Sequence, residues 1–362
     1  MKDSKKIIDE DLSFITKNLD QELSQLSGKK VLVTGGAGFL GYYIVKTLLY
    51  WNKSNSDLLP VSLIVYDNFL RGVPSWLEDH KKSKNFIIKN HDITEPLPAS
   101  IEFVDFIIHA ATIASPTYYR KYPIETIFSN ITGLKNLLDF SVNNNSIESV
   151  LFFSTSEIYG DPDSKNIPTK ETYRGNVSCT GPRACYDESK RLGETLCVNY
   201  HNIHKVPVKI ARPFNNYGPG LKLSDRRVIP DFFRDIINNE NIVLLSDGSA
   251  TRTFCYISDA IEGYLRILLS DHNGESFNIG REFPEISMLE LANKSIEVSK
   301  KPLDVEYKKS KDVEYLSDNP LRRCPNIDKA KKLLNFNPKI SLLDGLNRTY
   351  NYYLSNINTE EL

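Results

Sequence analysis

The chain contains no apolar run approaching the roughly 18 residues that a membrane-spanning helix needs. Its opening stretch, MKDSKKIIDEDLSFITKNLDQELSQL, carries no compact apolar core of the signal-peptide kind. Charge of one sign is also missing: 45 Lys and Arg stand against 46 Asp and Glu, for a net charge of -1, so no global field favours nucleic acid or an anionic membrane as a partner. Paired cysteines are absent as well. Cys179, Cys185, Cys197, Cys255 and Cys324 are odd in number and form no C-x-x-C, which suggests neither a disulfide framework nor a zinc site. Reduced thiols and a cytoplasmic location are the expectation. There is no internal repeat and no low-complexity segment. With 40% hydrophobic and 25% charged residues over 362 positions, the chain has the make-up of a globular protein of about two domains.

What is present is an alternation of β-branched runs and helical patterns. Ile8, Leu12, Ile15, Leu19, Leu23 and Leu26 recur at spacings of four and three, which predicts an N-terminal amphipathic helix packed on the body or on a partner subunit. KKVLVTGGAGFLGYYIVKTLLYW then reads as strand, glycine turn and helix. Further strands are expected at 61–67, 85–89, 104–110, 149–156 and 206–213, with long helices at 124–141 and 183–205. Apolar runs without polar alternation fit strands covered on both faces. The fold class is therefore α/β: a Rossmann-type doubly wound parallel sheet with a smaller C-terminal substrate-binding lobe. The expected organisation is a helical extension over 1–28, an NAD-binding domain over 29–211 and a mainly substrate-binding lobe over 212–362.

Gly35, Gly38 and Gly41 in TGGAGFLG sit between strand and helix, where glycine permits a tight turn and lets backbone approach a pyrophosphate at a helix N-terminus. Phe39 and Leu40 lie within the same turn. Asp67, closing the second strand, is placed to accept hydrogen bonds from a ribose and to repel a 2′-phosphate, which favours NAD as cofactor. Arg71 nearby works against that preference. Asn68, and Asp92 with Ile93 after the third strand, complete the expected adenosine side; Asp92 also fits a loop cap.

GPRACYDESK places Tyr186 and Lys190 one helical turn apart. Beside a nicotinamide site this pair acquires a meaning, because an unperturbed phenol near pKa 10 needs nearby positive charge to act as a base at neutral pH. In FFSTSEIYG, Thr155 is placed to hydrogen-bond the same substrate oxygen, with Ser156 and Glu157 beside it. Glu157 is expected to move a proton at the neighbouring carbon. His201 and His204 form an H-x-x-H without a third ligand candidate, so no metal site is expected, and His109 at a strand end reads as structural.

GGAGFLG, STSEIYG and the Tyr186–Lys190 pair resemble the extended short-chain dehydrogenase/reductase superfamily of nucleotide-sugar enzymes. ASPTYYRKYPIETI, GPRACYDESKR, DGSATRTFCYISDAIEG and RRCPNIDKAKKLL look most like its UDP-glucuronate decarboxylase (UDP-xylose synthase) branch, over about residues 29–350. The resemblance implies NAD-dependent oxidation at C4 of a UDP-hexuronate, loss of carbon dioxide from the 4-keto acid, and reduction back. It makes Tyr186 the C4 base, Lys190 its tuner and ribose ligand, Thr155 the O4 partner, and Ser156 and Glu157 helpers around C5 and C6. Arg252 falls at a position near the reacting carboxylate, Asn215 and Arg323 at positions that hold nucleotide phosphates, and Ser115 and Tyr118 on the substrate side. It also implies a homodimer through the helices at 124–141 and 183–205.

Two positions depart from the branch pattern. Gly220 follows RPFNNYGP where an arginine is usual, and Asn326 replaces an aspartate in CPNID, so a contact near the sugar is expected to be missing or moved. A 4-epimerase or a 4,6-dehydratase would share the first step. A non-catalytic nucleotide-binding regulator on the same fold is the reading from another class, and the intact Thr155, Tyr186 and Lys190 set argues against it.

Overall fold

The structure is a computed structural model that describes residues 3–78, 83–101, 103–309 and 319–357. Met1 and Lys2 of the expected extension, and the last five residues of the expected lobe, lie outside the described residues. Five β-branched or aromatic runs form β1 (Lys30–Thr34), β2 (Ser62–Asp67), β4 (Phe106–His109), β5 (Ser149–Phe153) and β6 (Val208–Pro213), buried along most of their lengths; β3 (Phe86–Asn90) is the more exposed edge. A seventh strand, Ser276–Ile279, pairs with β6, giving the order Ser276–Ile279, β6, β5, β4, β1, β2, β3 with every pairing parallel. That strand falls beyond residue 211, so the expected boundary does not divide sheet from lobe cleanly. The chain leaves the sheet after β6 and returns through the amphipathic helix Ile257–Leu268, a crossover that a four-residue strand is too short to announce.

Strand order reverses between β1 and β4. Ligands bind outside the carboxyl ends of the strands at such a switch point. Because all seven strands are parallel, the segments after β1, β2, β3, β4, β5 and β6 emerge along one edge. Short strands of the second lobe face that edge: Thr251–Arg252 pairs with both Ile286–Ser287 and Arg322–Arg323.

The N-terminal stripe is buried as expected, but not as one helix. Helix Ser4–Asn18 starts at Asp3, whose carboxylate accepts from Lys5 N at 3.2 Å, and ends at Leu19; a short helix Asp20–Leu23 and a 3₁₀ turn Ser24–Leu26 follow. It packs on the body, against helices Phe39–Ser54, Ile257–Leu268 and Leu342–Ser355. Asp11, fully buried there, accepts from Tyr43 Oη at 3.1 Å, Tyr256 Oη at 2.8 Å and Arg348 Nη1 at 2.9 Å. Burial raises its carboxyl to about 6, those three donors offsetting only part of the desolvation.

Candidate active site

A single cavity of about 1690 Å³ runs along the carboxyl edge of the sheet. Cavities for one drug-sized ligand are typically about 300–1,000 Å³, so this one has room for a dinucleotide and a second ligand end to end.

The cofactor half is built by β1, β2, β3 and the turns that follow them. Gly35 has φ +76, donates to Tyr66 O at 2.8 Å, and a Cβ there would stand 2.5 Å from Ala111 N, so only glycine fits. Gly38 begins helix Phe39–Ser54, whose first turn, with Phe39, Leu40 and Gly41, lines the cavity and aims unpaired N–H groups at it. Asp67 lines the cavity beside this turn: Oδ2 accepts from Ala37 N at 3.0 Å and Oδ1 from Phe69 N at 2.8 Å. Burial raises its carboxyl, and each oxygen keeps acceptor capacity for a ribose hydroxyl. Asn68 Nδ2 donates to Asp92 Oδ2 at 3.1 Å. Thr94 N and Oγ1 hold the other oxygen of Asp92, and these bonds outweigh its burial and lower its pKa. Ile93 lines the same wall. Arg71 turns away from Asp67 and pairs with Asp225 at 2.5 Å, so it does not compete for the ribose position. The glycine cradle and an acidic strand end fit an NAD molecule.

The other half begins at helix Ala184–His204. Tyr186, Lys190, Gly193 and Cys197 are buried at spacings of four, three and four, the stripe that faces the sheet; a Cβ on Gly193 would press on the Phe152 ring at 2.7 Å. Tyr186 is brought to Thr155, whose hydroxyl hydrogen-bonds the phenol and lowers its pKa. Desolvation is larger, and the net result pushes Tyr186 up to about 12, with Glu157 and Asp187 adding to the rise and Arg227 opposing it. The expected tuner behaves differently. Lys190 Nζ donates to Phe153 O at 2.7 Å, stands 6.0 Å from the Tyr186 ring centroid, and is itself lowered to about 7 by burial. Its ammonium is turned to the strand end, toward Phe153 O, rather than to the phenol oxygen's hydrogen-bond partner Thr155.

Glu157 departs further from expectation. Burial would raise it, yet Arg183, Arg323 and Arg252 hold it down at about 2. Arg183 Nη2 stands 2.5 Å from Oε2, and Arg323 forms a two-toothed pair, Nη1 donating to Oε1 at 2.5 Å and Nη2 to Oε2. Held as an ion by these guanidiniums, Glu157 carries no proton of its own to give in this state. Arg323 is correspondingly committed to Glu157 rather than free at a phosphate position. Arg252 is buried and lines the cavity; its donors go to Thr251 O at 2.7 Å, Leu321 O at 3.1 Å, Pro320 O at 2.5 Å and Asn319 Oδ1 at 3.2 Å. Burial, and then repulsion from Arg323, lower it to about 9.

The remaining candidates are distributed around the cavity. Ser156, Ser115, Tyr118 and Asn215 all line it. Ser115 Oγ donates to Asp225 O at 3.0 Å, and Asn215, at φ 42, gives one of its two amide N–H donors to Thr253 O at 2.9 Å, which fixes the side chain at the cavity wall. Asn326 does not line the cavity; its Oδ1 accepts from Asp328 N at 3.2 Å in the turn that leads into helix Asp328–Leu334, so this departure from the branch pattern is a local turn contact away from the sugar. His109 bonds Thr34 Oγ1 at 2.8 Å and burial lowers it to about 3, a neutral structural histidine. His201 Nδ1 bonds Val206 O at 3.0 Å, and among the described residues no group of three or more His, Cys, Asp or Glu stands where it could hold a metal.

Sequence reasoning passed over Arg183, Arg227 and Tyr119. Tyr119 stacks on Tyr186 with centroids 5.2 Å apart and planes 9° from parallel. Arg183 was within reach: three residues before Tyr186, it sits one helical turn back on the same face.

The NAD dependent epimerase/dehydratase family profile matches residues 31–280. UDP-glucuronic acid decarboxylase 6 of Arabidopsis thaliana is 40% identical over 320 residues, covering 88% of this chain and 87% of that protein. A double mutant of dTDP-glucose 4,6-dehydratase from Streptomyces venezuelae, solved with NAD bound, matches with 26% identity and a TM-score of 0.78 over 90% of this chain and 97% of that one. A mutant UDP-glucuronic acid 4-epimerase from Bacillus cereus, in complex with UDP-4-deoxy-4-fluoro-glucuronic acid and NAD, matches with 26% identity and a TM-score of 0.72 over 89% and 98%.

Proposed function

The chain belongs to the NAD dependent epimerase/dehydratase family, and from that premise we propose that it decarboxylates UDP-glucuronate to UDP-xylose. The observation that carries this reading is the surplus of guanidinium at the reacting end. Arg183, Arg252 and Arg323 gather about the ionised Glu157 beside the Tyr186–Thr155 pair, with Asp187, raised to about 7, as the second carboxyl at 3.5 Å from Arg183 Nε. The ring of a neutral hexose offers these guanidiniums no anion beyond the diphosphate. The carboxylate of a hexuronate is such an anion, and a planar guanidinium is suited to bidentate recognition of it.

NAD, which the Gly35–Gly41 turn and Asp67 would hold, would supply the redox chemistry as hydride acceptor and then donor at C4. Tyr186 accepts the C4 hydroxyl proton, with Thr155 hydrogen-bonded at the same oxygen. Even with Thr155 and Arg227 opposing its burial the phenol stays near 12, so proton acceptance depends on further positive potential, which the oxidised nicotinamide would add. With a ketone at C4, the C6 carboxylate is in the β position: the C5–C6 bond breaks, its electron pair passes into the C4–C5 enolate, and carbon dioxide leaves. Tyr186 and Thr155 donate to the enolate oxygen, an electrostatic stabilisation of the kind worth several kcal/mol in a sheltered site. C5 then takes a proton from water, and Tyr186 returns the hydroxyl proton to O4 as the ketone is reduced. Glu157 works as a fixed anion that orients Arg183 and Arg323. Its gripped, ionised state also disfavours 4,6-dehydration, in which a free glutamate would have to remove the C5 proton.

The active unit is a homodimer. Helices Pro123–Val142 and Ala184–His204 pack together and present exposed Ile124, Phe128, Leu192 and Ile203, an apolar surface that a second copy would cover. Light scattering at micromolar concentration is expected to give twice the chain mass; a monomer mass contradicts it.

Incubating the purified protein with NAD and UDP-glucuronate, with products followed by mass and proton NMR, tests the function. UDP-xylose or its 4-keto precursor is expected. An unchanged mass with inverted C4 would make the protein an epimerase, and no reaction with NAD binding intact would overturn the substrate.

A further inference from the structure

The loop from β6 to helix Val228–Ile237 carries Gly220 at φ 83 and Arg226 at φ 58. The resemblance calls for an arginine at 220. A side chain there would be strained: it would adopt a left-handed conformation, and its Cβ would stand 3.3 Å from two Tyr42 ring carbons, which would have to give way. Arg226 shows the opposite arrangement, a long side chain held where L residues other than asparagine or aspartate are uncommon. Strain of this kind concentrates at ligand-binding positions.

Both residues line the same cavity. The neighbouring carboxylates are already engaged: Asp225 is buried between Arg71 at 2.5 Å and Arg227 Nε at 2.9 Å, and Asp231 is paired with Arg234. Among the described residues no hydrogen bond or ion pair holds the exposed Arg226 guanidinium; only a longer-range attraction to Asp231 reaches it. A strained backbone thus presents an uncommitted cation to the mouth of a nucleotide-sized cavity.

We propose that Arg226 binds the diphosphate of the nucleotide sugar, supplying from the far end of the loop the guanidinium that Gly220 cannot carry. The inference rests on the nucleotide-sugar reading but not on which reaction follows. Its test is therefore binding of UDP alone, measured by calorimetry, alongside steady-state kinetics and thermal unfolding of Arg226→Gly and Arg226→Ala. Both variants are expected to lose about tenfold in UDP affinity, the scale of one charge-assisted contact, with KM raised in parallel, kcat within about twofold and NAD affinity unchanged. Arg226→Gly is also expected to unfold at a higher temperature than the parent, since glycine relieves the left-handed strain. Arg226→Lys restores part of the affinity. A parent that binds UDP without decarboxylating UDP-glucuronate would overturn the functional reading and leave this one intact. UDP affinity in Arg226→Gly and Arg226→Ala within twofold of the parent, or a parent that does not bind UDP, would overturn it.

Discussion

The two halves of the cavity are built on different physics. In the cofactor half the ligands are backbone groups and one carboxylate, placed by contiguous stretches: the turn after β1 supplies the N–H groups, and Asp67 is fixed by the amides of Ala37 and Phe69. In the substrate half, charge is gathered from distant segments. Glu157 follows β5, Arg183 precedes helix Ala184–His204, Arg252 and Arg323 come from paired strands of the second lobe, and Arg227 from the loop after β6. The difference teaches where specificity resides. The first half recognises what the whole family shares; the second carries an excess of positive charge particular to an anionic sugar.

The sharpest break falls on the seam between the halves. Tyr186→Phe is expected to lower kcat by about 10³-fold or more, the scale of losing a general acid–base, while NAD and UDP still bind. Calorimetry beside a product assay checks both, and near-normal turnover would remove Tyr186 from its role. Next in size is the substrate half alone: Arg323→Ala should cost about 10²-fold in turnover and about 1–2 kcal/mol in stability, because it strips one partner from a part-buried carboxylate that Arg183 still holds. Denaturant melts and kinetics read the two losses separately, with NAD affinity unchanged. The mirror experiment is Asp67→Ala, expected to weaken NAD about tenfold and leave UDP affinity untouched; a variant that lost both ligands equally would erase the distinction between halves.

Acid titration gives the smallest and finest contrast. Glu157 is depressed to about 2 from 4.5, so its stabilisation is complete above about 4.5 and is lost as pH falls toward 2. Asp67 is raised, so its contribution has the opposite sign: full below its unfolded pKa and lost as pH rises through the folded one. Stability measured against pH should therefore flatten between about 4.5 and 2 in a Glu157→Gln variant, whereas Asp67→Asn should remove a decline that sets in only above about 3.8. The reverse pattern would contradict the assigned environments.

The cofactor half was legible because strand, glycine turn and helix are neighbours in sequence, and periodicity exposes them. The Tyr186–Lys190 pair was legible for the same reason, being one helical turn. Its electrostatics were not: that Lys190 turns to Phe153 O, and that desolvation governs Tyr186, are consequences of tertiary burial. The grip on Glu157 was hidden because Arg323 lies 166 residues away, and no spacing rule reaches so far. The seventh strand was hidden by its brevity.

The central claim is that the substrate half selects a carboxylated sugar. The direct measurement is turnover with NAD on UDP-glucuronate labelled with ¹³C at C6, run beside UDP-glucose under the same conditions. The account predicts labelled carbon dioxide and a UDP-pentose from the first and no change in the second; conversion of UDP-glucose to its 4-epimer, with the label retained in UDP-glucuronate, would contradict it.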